Sequence, residues 1–171
     1  MDTIYRIASL FNLKKDSESD IYYGKIEGLD ALLINERNGF SNAPFMFFHL
    51  DNELLKNELK EIKKNFSLLR KNGINYIKND KTTVFINLFS LASLNVWGSM
   101  NEKSDQRIIE TVKIVTSHLV NKNYQNSSTC KYCNTVLEDN DKEISVYAIN
   151  ALVIPCFIHK ECLKQIEERN I

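Results

Sequence analysis

The sequence predicts an α+β protein: an antiparallel sheet with helices packed on it, followed by a small cysteine-rich module. Three observations predict it. Short apolar segments bounded by turn residues recur along the first two thirds of the chain, as strands require. Longer segments repeat their apolar residues every three or four positions, as amphipathic helices require. All four cysteines lie in the last quarter, near one histidine.

Taken in order, Asp2 or Thr3 can cap a first helix with Ile4, Ile7, Ala8, Leu10 and Phe11 on its buried side. Residues 14–20 read as a polar linker. Three strands follow, at 21–26, 31–35 and 44–50, and Asn38-Gly39 offers the positive φ angles of a tight hairpin turn between the last two. Phe45, Met46, Phe47 and Phe48 make the third strand apolar enough to be buried on both faces. Asp51 caps a helix running to residue 71, in which Leu55, Leu59, Ile62, Phe66 and Leu69 form one stripe. Asn72-Gly73 stops it. Segments 74–77 and 82–89 form a second hairpin turning at Asn79-Asp80, with Val84, Ile86 and Leu88 on one face. Residues 90–103, including Trp97-Gly98, read as either a short helix or a packed loop. Ser104-Asp105 opens the last helix of this region, with Ile108, Ile109, Val112, Val115 and Leu119 inward.

The order α-β-β-β-α-β-β-α over residues 1–121 implies a sheet covered on one face by helices. It is similar to the type III secretion chaperone-like fold. That resemblance implies a binding module that often pairs with itself rather than an enzyme. Residues 122–129 are a polar linker, and 130–171 form a second module.

Charge excludes one class of partner as the default. Lys+Arg and Asp+Glu both number 22, so no net field draws the chain to nucleic acid or to an anionic membrane. Lys56, Lys60, Lys63, Lys64, Arg70 and Lys71 alternate with Glu53, Glu58 and Glu61 and read as a solvated helix face. The opening residues lack a secretory pattern, and Asp2 excludes myristoylation. The longest apolar stretch, 146–158, contains Asn150 and Pro155 and is too short to span a bilayer. Clustered cysteines in such a chain read as metal ligands in a cytoplasmic protein rather than as disulfides.

The spacing of those cysteines suggests the metal. Cys130-Lys131-Tyr132-Cys133 sets two thiolates at the separation of a tight knuckle. His159-Lys160-Glu161-Cys162 sets two more donors on the first turn of a helix. Between them, 143–149 and 152–157 can form a hairpin turning near Asn150. Together they call for one structural zinc ion held by Cys130, Cys133, His159 and Cys162. Cys156, a fifth candidate, is the rival of His159 for one place. Three thiolates and a neutral imidazole leave about one negative charge on the site, which Lys131 and Lys160 could balance. The succession of knuckle, hairpin and ligand-bearing helix resembles a treble-clef zinc finger over about residues 128–168. A module of this size cannot bury enough core by itself, so the metal must supply folding energy.

Several chemistries lack their parts. Pro155-Cys156-Phe157-Ile158-His159 resembles half of the zinc nucleobase deaminase motif, but neither His49 nor His118 opens the required His-x-Glu. HNH nucleases place a catalytic His on the hairpin, and residues 134–158 hold none. RING and LIM domains need eight ligands. No Gly-rich phosphate loop or nucleophile elbow is present. His49 and His118 read as structural, and Tyr22, Tyr23 and Trp97 as core or interface packing. The hairpin carries more apolar residues than a small module can hide, which favours contact with protein. The expected function is a non-catalytic, protein-binding adaptor or regulator, with homodimerisation as an option and no catalytic residue. A nucleic-acid-binding regulator is the first alternative. A hydrolase or nuclease with an N-terminal site is the second.

Overall fold

A computed structural model describes residues 3–38, 41–65, 73–77, 80–88, 102–149 and 152–169. The chain divides into two compact units, Met1–Asn126 and Ser127–Ile171. The architecture is mixed α+β, as expected.

In the first unit, helix α1 (Thr3–Leu10) leads into strands β1 (Lys14–Lys15), β2 (Tyr22–Ile26), β3 (Leu29–Asn38) and β4 (Ser41–His49). Helix α2 (Lys56–Asn65), strands β5 (Ile74–Ile77) and β6 (Asp80–Asn87), and helix α3 (Glu102–Asn121) follow. The six strands form one antiparallel sheet in the order β1-β2-β3-β4-β6-β5.

Register explains which residues become core. Ala31 pairs with Phe48, Phe48 with Val84, and Val84 with Tyr76. One step along, Leu33, Met46, Ile86 and Ile74 stand in a row. Side chains two apart share a face, so these rows make one apolar surface. The three helices bury Ile4, Ile7 and Ala8, Leu59 and Ile62, and Ile108, Val112, Val115 and Leu119 in the same cluster. Each of these Ile, Leu and Val side chains contributes about 1.5–3 kcal/mol on full burial. The other face holds Leu32 and Phe47, both fully buried, with the rings of Phe45 and Phe47 each 5.8 Å from that of Phe85. Strand β4 is therefore buried on both faces, as its composition predicts.

Several elements differ in detail from the sequence reading. Residues 14–20 are not all linker: Lys14 and Lys15 pair with Tyr23 and Tyr22 as a short edge strand. Lysines at an edge are compatible with pairing there because they discourage further strand addition. Strand β3 begins earlier than its apolar run, because Glu27 (φ 50°) and Gly28 (φ 87°) form a two-residue turn joining Ile26 to Leu29. Across from it, Gly24 is tightly covered: a Cβ there would lie 2.9 Å from Leu13 Cδ2. Asp51 does not cap α2, which starts at Lys56. Its backbone N–H donates to Gln125 O (2.9 Å) and its Oδ1 accepts from Gln125 N (3.0 Å). Helix α3 starts two residues before Ser104, and Asp105 accepts a two-pronged hydrogen bond from Arg6 of α1 at 2.6–3.2 Å. The expected turns at Gly39 and Asn79, the end of the α2 stripe at Phe66 and Leu69, and Trp97-Gly98 lie outside the described residues.

The stretch 122–129 is bonded throughout. Asn126 accepts from Asp30 N (2.6 Å) and donates to Gly28 O (3.1 Å) within the first unit. Ser128 O accepts from Leu137 N (2.7 Å) within the second. That second unit contains a cysteine knuckle, a 3-10 turn (Asp139–Asp141), strands β7 (Lys142–Ile149) and β8 (Leu152–His159), and helix α4 (Lys160–Arg169). Strands β7 and β8 form an antiparallel ribbon closed by the pair Ile149 and Leu152. Its core is Cys130, Leu137, Cys156, Ile158 and Cys162. Among the described residues, no helix is long and apolar enough to cross a membrane.

Candidate metal centre

The knuckle is a tight backbone reversal. Asn134 N donates to Cys130 O (2.9 Å), Cys130 N donates to Thr135 O (2.9 Å), and Asn134 adopts φ 60°, which asparagine tolerates better than most residues. The turn brings Cys130 and Cys133 to one site, Cys130 buried and Cys133 exposed. The second pair arises where strand becomes helix. His159 ends β8, Lys160 begins α4, and Cys162 sits within the first turn, so His159 and Cys162 approach the knuckle from one side.

All four donor atoms of Cys130, Cys133, His159 and Cys162 lie within 4.8 Å of one another. Cys130 Sγ is 3.8 Å from Cys162 Sγ, and His159 Nδ1 is 3.3 Å from Cys133 Sγ and 4.0 Å from Cys162 Sγ. A tetrahedral ion with metal–sulfur bonds of about 2.3 Å and a metal–nitrogen bond of about 2.0 Å needs donors roughly 3.5–3.8 Å apart. The group is thus close to the size that such an ion requires, and it could hold a metal ion.

Bonds around the donors orient them. His159 Nε2 is 2.8 Å from Val136 O, so this nitrogen carries the proton and donates. Its Nδ1 then has a lone pair directed at the sulfurs, the arrangement usual for a ligating imidazole. The same carbonyl favours the imidazolium and, as the leading cause, lifts the His159 pKa to about 9. Cys133 accepts from the Thr135 hydroxyl at 3.1 Å, and that hydroxyl and the Thr135 amide lower its thiol to about 6. Burial works against a Cys130 thiolate, yet amide donors from Cys133, His159 and Tyr132 outweigh it and lower the pKa. Burial pushes Cys162 up to about 12. A bound divalent cation would have to displace the protons that Cys162 and His159 retain.

The sequence reading did not foresee these backbone and Thr135 donors, because they depend on chain direction rather than residue type. It proposed Lys131 and Lys160 as charge partners instead. Lys160 Nζ lies 4.0 Å from Glu143, and its backbone N–H donates to Asp141 Oδ1 at 3.2 Å. Cys156 is not among the converging donors. It is 3% exposed in the core of the unit, and burial raises its thiol to about 12.

Among the described residues, the others singled out by sequence do not gather into a second centre. His49 is buried, with Nδ1 3.0 Å from the Thr83 hydroxyl. His118 lies on α3, and its buried Nε2 has no hydrogen-bond partner among the described residues. Tyr22 packs against the main core, and Tyr23 follows it on the opposite sheet face. The described donors that fit a metal are the three cysteines and His159 alone. Comparison of the chain with protein-family models, with curated proteins and with solved structures finds no match.

Proposed function

We propose that the second unit is a treble-clef zinc finger and that the chain is a non-catalytic adaptor or regulator that binds another protein. One observation carries the reading: four donors, three sulfur and one nitrogen, converge within 4.8 Å. That donor set suits zinc, since thiolate and imidazole are its preferred ligands. Four protein donors fill a tetrahedron and leave no place for an activated water, which favours a structural role. The order of knuckle, ribbon and helix supports the treble-clef assignment. Exposed apolar side chains on the same unit, Val136 (70%) and Val146 (50%), support contact with a protein surface. Thiols at ligand spacing fit the cytoplasm, where they stay reduced.

Elemental analysis of protein purified without chelator, paired with affinity capture from the native host, tests the reading. The expected results are one zinc per chain and a specific partner lost by a Cys130→Ser/Cys133→Ser variant. Metal-free protein would overturn the zinc assignment. A variant that keeps every partner would overturn the second unit as the working surface.

A further inference from the structure

We propose that the centre is also a hydroperoxide-sensitive switch: Cys133 is the sulfur oxidised first, and its capture by a neighbouring ligand thiol expels the cation. The inference rests on the zinc reading above.

Exposure separates the four cysteines. Cys133 is exposed, whereas Cys130, Cys156 and Cys162 are 0%, 3% and 7% exposed. An oxidant must reach sulfur along the axis of its own O–O bond, which only the exposed ligand permits without opening the unit. The second requirement is a thiol near enough to resolve the product. Cys130 and Cys162 both lie within 4.8 Å of Cys133 through their sulfurs, and a side-chain movement can close that gap to the roughly 2.0 Å of a disulfide.

The chemistry balances with the peroxide as sole oxidant. The Cys133 thiolate attacks one peroxide oxygen, the O–O bond breaks, and hydroxide or alkoxide leaves, giving a sulfenic acid. The thiolate of Cys130 or Cys162 then attacks that sulfur, forming an S–S bond and releasing hydroxide. Two thiols lose two electrons in total, and the peroxide gains them. The cation leaves with its charge unchanged, because one cysteine and one histidine cannot hold it in a tetrahedron. Its departure loosens the unit, since Cys130 and Cys162 are two of its five core residues. Cys156 is excluded from the donors and stays reduced.

The test uses the full-length protein loaded with zinc. Zinc per chain is measured first, then hydrogen peroxide is added while a chromogenic chelator reports release. Aliquots are alkylated and mapped by mass spectrometry. Protein that holds no zinc at the outset overturns the zinc reading and the switch together. Zinc retained under excess peroxide overturns the switch alone. The expected result is one zinc lost per disulfide, every early disulfide containing Cys133, Cys156 still alkylated, and recovery on adding dithiothreitol and zinc. A first disulfide that joins Cys130 to Cys162, or that includes Cys156, overturns the proposal. Cys156→Ala should release zinc within about twofold of the parent rate; protection by that substitution would also overturn it.

Discussion

Cys156 and His159 stand three positions apart, and strand geometry separates their roles. Ile154, Cys156 and Ile158, alternate residues of β8, are all buried, and Cys156 and Ile158 belong to the core of the second unit. His159 has the opposite parity and ends the strand, so its ring escapes the core and meets the knuckle. Sequence spacing alone leaves Cys156 a rival of His159 for one place, because parity relative to the core appears only when the strand is paired. We expect Cys156→Ala to keep one zinc per chain and cost about 1 kcal/mol of stability, as small core truncations do. His159→Ala should weaken zinc binding more severely than any change to a supporting residue. Competition against a chromogenic chelator measures both. The same assay tests Thr135, whose hydroxyl reaches Cys133 Sγ at 3.1 Å. Thr135→Val keeps the shape and removes the donor, and zinc should bind about 10- to 100-fold more weakly. Unchanged affinity would show that the hydroxyl is incidental.

Among the elements, helices were more legible than their starts. The stripe Ile108, Val112, Val115 and Leu119 is buried throughout, as its spacing requires, while Leu10 and Ile109 are only half-buried. The start of α2 was not legible, because Asp51 bonds to Gln125, a partner 74 residues away that no local rule could reveal. Tyr124 makes a related tie to α2. Its hydroxyl hydrogen-bonds Glu58, accepts from Leu55 N at 3.3 Å and is 3.3 Å from Glu53 O. Burial first, and Glu58 next, push its pKa up to about 12. The folded state therefore favours the neutral phenol. Its contribution is complete below the ordinary tyrosine pKa of 10 and is lost as pH rises through about 12. Chemical unfolding of the parent should show stability falling across that alkaline window. Tyr124→Phe should be less stable at neutral pH and should show a shallower decline between pH 10 and 12. An identical slope in both proteins would remove Tyr124 as the cause.

At the scale of the whole molecule, element order was legible apart from the short strand β1, and strand order was not. Periodicity marks which segments are strands, but β4 lies beside β6, with β5 outside, because their apolar faces match across the sheet. Nothing local to 44–50 or 82–89 encodes that choice. The division into two cores has an energetic consequence. The first unit buries a large continuous cluster. The second has five buried residues in its core, two of them proposed ligands, and a core this small rarely stabilises a chain without a staple such as a metal. A structural zinc site of the kind proposed would supply about 10–16 kcal/mol of apparent binding energy, which would then be folding energy for that unit. Chelation should therefore unfold one unit only. Hydrogen exchange with and without a strong chelator should show protection lost across residues 127–169 and kept in β3, β4, β6 and α3. Restoring zinc should restore it. Protection that stays unchanged in 127–169 after the metal is removed would mean that this unit folds without the ion. Protection lost equally in both units would mean that they unfold as one.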